Sequence, residues 1–238
     1  MKTPESDIPD QGFFGDTHMY KAKSPDYFSS IRYEIEPLLP VLCDRALEVG
    51  CGEGGTLGWA KQNGRVKHAT GIELMGDYAE ISKGILDHVI TANIESDEII
   101  LEAPFQLILC LDVLEHLRDP WQVMGRLVSW LAPGGVLIAS LPNVRYLAIL
   151  TDLVLRGRFD YQDSGILDRT HLRFFTRHSA VELFRTCGLN EVRVVLHPGS
   201  VRGKARLLNI LTLGALRDMF AWQILISGMK PVGVDGAR

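Results

Sequence analysis

Between residues 45 and 141 short apolar runs alternate with segments of helical periodicity, and no other feature narrows the possible folds as much. The runs at 46–49, 68–74, 88–92, 105–111 and 136–141 have strand length, whereas 56–63, 78–87 and 121–130 carry the spacing of amphipathic helices. A strand that returns to its own sheet through a helix lies parallel to its predecessor. This order therefore predicts an α/β, Rossmann-like, mostly parallel sheet with helices on both faces. In such sheets ligands bind beyond the carboxyl ends of the strands, where the chain turns into helices. The glycine-rich and acidic signals of this sequence fall at those ends.

The flanks read differently. Residues 1 to about 25 are polar and rich in Gly, Pro and Asp, and read as an entry segment. Over 26–39, Tyr27, Phe28, Ile31, Ile35, Leu38 and Leu39 fall at the spacing of an amphipathic helix, ended by Pro37 and Pro40. After Pro142 the spacing predicts a helix at 144–155, an irregular stretch at 157–175, a helix at 179–187 closed by Gly188, and strands at 189–196 and 222–227.

Composition limits the partners. A net charge of −4 argues against a dedicated nucleic-acid binder. Cys43, Cys51, Cys110 and Cys187 are scattered, with no close pair of zinc or redox type, so a reducing, cytoplasmic setting is expected. The amino terminus lacks the apolar core of a signal peptide, and the apolar stretch 207–229 is interrupted by Arg217 and Asp218, so no transmembrane segment is expected.

The turn after the first strand, Gly50-Cys51-Gly52-Glu53-Gly54-Gly55, carries the strongest signal. Glycines there admit positive φ and close backbone approach, and the following helix presents its positive end. Gly50, Gly52 and Gly55 also satisfy the G-x-G-x-x-G spacing of dehydrogenases, so the loop alone suits a dinucleotide or a methionine carboxylate equally. Glu73, at the end of the second strand, can accept hydrogen bonds from both hydroxyls of a ribose, which either ligand has. Loop and acid report binding; a cofactor-binding protein without turnover would carry them too.

The 47–54 segment Leu-Glu-Val-Gly-Cys-Gly-Glu-Gly resembles the first motif of class I S-adenosylmethionine-dependent methyltransferases. Gly71-Ile72-Glu73-Leu74 resembles the ribose-binding strand end of that family, 105–117 its fourth-strand motif, and Leu131-Ala132-Pro133-Gly134-Gly135 its turn before strand five. The resemblance implies S-adenosylmethionine as cofactor and an antiparallel last strand. It also implies an entry segment and helix over 1–40 and a single methyltransferase domain over 41–238, with a cofactor half at about 45–141 and an acceptor-side region at about 142–220. It places Gly50, Cys51, Gly52 and Gly54 at the methionine portion, with Glu48 organising the loop. Glu73 would hold the ribose and Leu74 pack on the adenine; Leu111 and Asp112 would border the sulfonium, and Tyr27 and Arg32 close over the cofactor. Asn93-Ile94 occupies the place of the acid that usually meets the adenine amino group; the Asn93 carbonyl can still accept a hydrogen bond.

A sulfonium methyl is already activated, so positioning and exclusion of water are the main demands, joined for a hydroxyl acceptor by a proton acceptor. His171, with Asp168 three residues before it to orient it, and His116, just after the fourth strand, are the candidates; the other histidines have no constellation. No metal-ligand cluster is apparent, and metal independence is expected. The segments 141–144, 157–161 and 165–176 are similar to a bacterial subgroup that often accompanies surface-polysaccharide synthesis, which implies a sugar or glycan hydroxyl as acceptor. A small aromatic or quinone acceptor fits the same residues. The segment from Val201 to Arg217, with Arg202, Lys204 and Arg206 ahead of a leucine-rich stretch, could contact a membrane peripherally, cap the acceptor pocket or form a homodimer face.

Overall fold

The computed structural model describes residues 28–102, 104–198, 209, 212, 214 and 216–233. Among these residues seven strands form one sheet: β1 (Cys43–Val49), β2 (Val66–Glu73), β3 (His88–Thr91), β4 (Phe105–Leu111), β5 (Leu131–Pro142), β6 (Asn190–Pro198) and β7 (Ala221–Met229). Helices α1 (Gly55–Gln62), α2 (Gly76–Ser82), α3 (Pro120–Trp130), α4 (Leu147–Arg156) and α5 (Arg177–Thr186) connect them. The strand order is β3-β2-β1-β4-β5-β7-β6. The first five strands pair in parallel, and β7 runs antiparallel to both β5 and β6. Chain order reverses between β1 and β4, so a crevice opens where the turns after these two strands diverge to opposite faces.

Strand alternation sorts the core. Leu47 and Val49 of β1 join Ile108, Cys110, Leu137 and Phe184 on one face, while Ala46 joins Leu107, Leu109, Leu57 and Ala60 on the other. Both faces being buried, the strands read as continuous apolar runs, which is why their sequence signal was strong. Helix boundaries follow local chemistry. Asp119 caps α3 by accepting from Gln122 N at 3.0 Å, with Pro120 in the first turn. Thr176 and Ser179 form a capping box on α5.

One expectation is corrected: among the described residues of the amphipathic helix expected over 26–39, 28–29 are helical, 30–32 are not, and Tyr33–Leu38 is a 3-10 turn. Pro37 lies inside it; a proline removes an N–H and disfavours helical geometry in the residue before it, so a regular helix cannot run through. Ile35 is still fully buried, which explains the apolar spacing. The turn expected at 132–135 is present as an irregularity within β5: Leu131 pairs with Phe105 but Val136 with Leu107, Gly134 has φ +77°, and Gly134 N donates to Lys230 O and Lys230 N to Gly135 O, both at 2.9 Å. Lys230 Nζ also donates to Val128 O (2.8 Å) and Leu131 O (2.7 Å) at the carboxyl end of α3. No helix among the described residues is long and apolar enough to cross a membrane. Most of the segment from Val201 to Arg217, including all three basic residues ahead of its leucines, lies outside the described residues.

Candidate active site

At the crevice, the turn after β1 is pinned from three sides. Gly50 N donates to Ile72 O at 2.8 Å, Gly52 N to the Glu73 carboxylate (Oε2) at 2.8 Å, and Glu53 N to Phe28 O at 3.0 Å. A Cβ on Gly50 (φ +69°) would stand 2.6 Å from Val113 Cγ2, and one on Gly52 (φ +52°) 2.5 Å from Phe28 O. Only glycine fits at either position. Glu73, buried at 5% exposure, also accepts from Met75 N at 2.9 Å through Oε1. Each carboxylate oxygen thus has a second lone pair for a ligand hydroxyl, on the wall of a cleft of about 710 Å³.

The opposite wall is charged. Arg32 Nη1 pairs with Asp112 Oδ2, its Nε pairs with Glu34, and its backbone N donates to Thr56 Oγ1 at 3.2 Å. Asp112 ends β4 in a left-handed conformation (φ 53°) and is clamped there: Ser140 Oγ at 2.7 Å and Gln223 Nε2 at 2.9 Å both donate to its Oδ1. A strained, over-determined acid at a strand end facing a cleft is a feature of binding sites.

Glu48 lies behind the loop and accepts from Leu57 N, in the first turn of α1, at 3.1 Å. Burial pushes its carboxyl up to about 8, against the pull of the Leu57 N–H and the Arg32 guanidinium. A carboxyl raised in the folded state favours folding most below its unfolded pKa of 4.5, and that contribution is lost as pH rises through about 8. Between about pH 5 and 8 the native chain is therefore expected to lose stability relative to Glu48→Gln, by up to roughly 1.4 kcal/mol per pH unit. Parallel melting-temperature profiles for the two proteins would show Glu48 ionised throughout.

Next to the cleft, a 3-10 turn (Leu114–His116) meets the segment before α5. His116 Nδ1 faces Thr170 O at 3.2 Å and His171 Nδ1 faces Ile166 O at 3.0 Å. Their rings stand edge to face, with centroids 4.7 Å apart. Glu115 O accepts from Leu172 N (2.8 Å) and Arg173 N (3.0 Å), which fixes the two segments together. Its side chain is 1% exposed; Oε1 lies 4.0 Å from His171 Nε2, and neither carboxyl oxygen has a hydrogen-bond partner. Burial, with His171 alongside, lowers His116 to about 4, so its imidazole is neutral at physiological pH. Burial and nearby Asp112 hold the Glu115 carboxyl well above the usual range.

Of the residues singled out in the sequence, Arg32, Glu48, Gly50, Cys51, Gly52, Glu73, Leu74, Asn93, Ile94, Leu111, Asp112 and His116 line the cleft. Tyr27 lies outside the described residues. Gly54 does not line it: with φ +83° it caps α1, packed on Ser82 and Leu86. Asn93 Oδ1 accepts from Glu95 N at 2.9 Å, which orients its carbonyl and leaves one lone pair for a ligand. His171 is buried behind His116, outside the lining. Asp168 Oδ1 accepts from Thr170 N (2.9 Å) and Thr170 Oγ1 (2.8 Å), and the His171 Nδ1 it was expected to orient faces a backbone carbonyl. No metal-ligand cluster was apparent along the sequence, but the fold gathers one candidate grouping among the described residues. Ligand atoms of Glu115, His116 and His171 lie within 4.8 Å of one another, because folding brings His171 back against the end of β4. Sequence reading missed Thr56, Ser140, Glu115 and Gln223; the one available hint was a glutamine in the apolar run of β7.

The sequence model of the methyltransferase-domain family matches residues 22–194, nearly three quarters of the chain. The chain belongs to this family. A ubiquinone biosynthesis O-methyltransferase from Xylella fastidiosa is 27% identical over 173 residues, 65% of this chain and 68% of that protein. A tRNA 5-carboxymethoxyuridine methyltransferase from Escherichia coli is 33% identical over 129 residues, 51% of this chain and 48% of its own length. The aligned region thus spans from just under half to about two thirds of these relatives. In fold, the chain matches a crystal structure of a SAM-dependent methyltransferase from Archaeoglobus fulgidus at a TM-score of 0.62 and 17% identity, covering 87% of this chain and 95% of that one. The cofactor of this methyltransferase fold is S-adenosylmethionine. The donor set suits it: a buried carboxylate with spare lone pairs for two ribose hydroxyls, Leu74 and buried Ile94 as apolar walls for a base, and a glycine cradle that a Cβ would obstruct.

Proposed function

We propose that this methyltransferase acts on a hydroxyl of a small molecule, with residues 41–238 as one catalytic unit and the Glu115–His116–His171 cluster drawing off the hydroxyl proton. The observation that carries this reading is the position of His116: it stands in the wall of the cleft, next to Leu117 and Leu172 and on the same side as Asp112. When bound, S-adenosylmethionine supplies a sulfonium methyl, which leaves as the acceptor oxygen forms its new C–O bond and the S–C electron pair returns to sulfur. Glu73 would hold the ribose, with Arg32 and Asp112 at the charged end. Leu117, Leu172 and Trp222 line the cleft beside polar Arg118, Asp119 and Gln122, and these apolar and aromatic side chains would suit a flat phenolic ring. The name of the Xylella relative, a ubiquinone O-methyltransferase, supports the same acceptor class.

A sugar hydroxyl is the second reading, favoured by the 165–176 segment, whose Leu172 reaches the cleft. The test is a paired acceptor screen, following S-adenosylhomocysteine formation with dihydroxybenzenoid compounds in one arm and sugar nucleotides in the other. Turnover in the first arm supports the phenolic acceptor, and turnover in the second alone transfers the assignment to sugars. Turnover in neither arm, with cofactor binding intact, would remove the small-molecule hydroxyl reading.

A further inference from the structure

We infer that Glu115, His116 and His171 form a binding site for one divalent transition-metal ion of the zinc type at the acceptor end of the cleft. Three independent features of the cluster point to an ion. The first is the donor set, two imidazoles and a carboxyl, which is what zinc and its neighbours select. The second is orientation. Each histidine presents Nδ1 to a backbone carbonyl, Thr170 O for His116 and Ile166 O for His171. That contact fixes the tautomer with the proton on Nδ1 and the lone pair on Nε2, as it does for most metal-ligating histidines.

The third feature is Glu115. Its carboxyl is buried at 1% exposure and both oxygens lack a hydrogen-bond partner, although buried polar groups are almost always satisfied. Its Oε1 stands 4.0 Å from His171 Nε2, too far for a hydrogen bond and somewhat wider than the ~3.3 Å between two ligands bound at ~2 Å to a tetrahedral ion. The three ligand atoms lie within 4.8 Å of one another, a spread that small side-chain rotations close around a cation. His116 borders the cleft whereas Glu115 and His171 lie behind it, so the open coordination position faces the acceptor. Three protein ligands with one open position is the pattern of a catalytic site, in which an ion lowers the pKa of a hydroxyl presented to it. That catalytic use rests on the hydroxyl reading above; binding of the ion does not.

The test uses the full chain, stripped with a chelator and titrated with Zn²⁺ by calorimetry and with Co²⁺ by visible absorption. One equivalent is expected to bind, with a raised melting temperature and d–d bands on Co²⁺ addition. Glu115→Gln and His171→Asn are each expected to weaken binding at least tenfold, while exposed His178→Asn leaves it unchanged. X-ray absorption of the zinc-loaded native chain reads the ligands without any variant, and two imidazoles with no sulfur are expected. Absence of saturable binding, a sulfur ligand, or undiminished affinity in both variants would overturn the site. The acceptor screen and the metal titration share no reagent, so failure of one leaves the other standing.

Discussion

Glu73→Ala is expected to weaken S-adenosylhomocysteine binding by at least about a hundredfold. A carboxylate accepting from two ribose hydroxyls makes two charge-assisted hydrogen bonds, each worth roughly 1.5–3 kcal/mol, and every 1.4 kcal/mol is tenfold in affinity. The same carboxylate also holds Gly52 N and Met75 N, so its loss loosens the glycine turn that the cofactor must meet. Glu73→Gln separates the two contributions: it keeps an oxygen for one backbone donor and loses the charge, and should fall between native and alanine. Calorimetric titration of the three proteins, with NAD run in parallel, is the measurement. Equal affinities in native chain and alanine variant would place the ribose elsewhere, and binding of NAD instead would return the glycine loop to a dehydrogenase role.

His116→Ala is expected to lower kcat on a hydroxyl acceptor by about 10²–10⁴, the usual contribution of a positioned proton-transfer group, whether Nε2 takes the proton itself or holds the ion that acidifies the hydroxyl. Affinity for S-adenosylhomocysteine should change little, since the ribose contact proposed for Glu73 and the β1 turn do not involve His116. His116 is the side chain of the cluster that meets the cleft, whereas His171 acts from behind it. Because burial holds the His116 imidazole near 4, protonation of this group should not reduce kcat/KM between about pH 8 and 6. Undiminished turnover in the alanine variant would take His116, and with it the cluster, out of the reaction.

Much of this protein could be read before its fold was known, wherever a signal is local. Strand and helix order came from periodicities of two and 3.6, which the backbone imposes within a few residues. The glycines of the β1 turn announced themselves for the same reason: positive φ at Gly50, Gly52 and Gly54 is a property of the turn itself. Glu73 was legible because it ends the strand that follows the turn and its helix, at the usual spacing of about 20 residues. Proline chemistry was readable too, yet the spacing of Ile35 and its neighbours suggested a longer helix than Pro37 allows.

What the sequence did not yield was every relation between residues separated by whole elements. Asp112 finds Ser140 on the adjacent β5 and Gln223 on β7, the strand beyond it, and nothing in its neighbourhood along the chain names either partner. Asp168 stands three residues before His171, and proximity in sequence suggested that it orients that ring; the turn directs its Oδ1 to Thr170, and His171 Nδ1 faces Ile166 O. His171 itself meets Glu115 and His116 only because backbone hydrogen bonds from Leu172 and Arg173 to Glu115 O close the acceptor-side segment onto the end of β4. Local propensity sets where elements begin and end, so sequence alone determined the sheet, the glycine turn and the acid that ends β2. Burial and pairing across the sheet depend on contacts that no short window contains, so only the tertiary structure decided which histidine faces the cleft and where an unpartnered buried carboxyl stands.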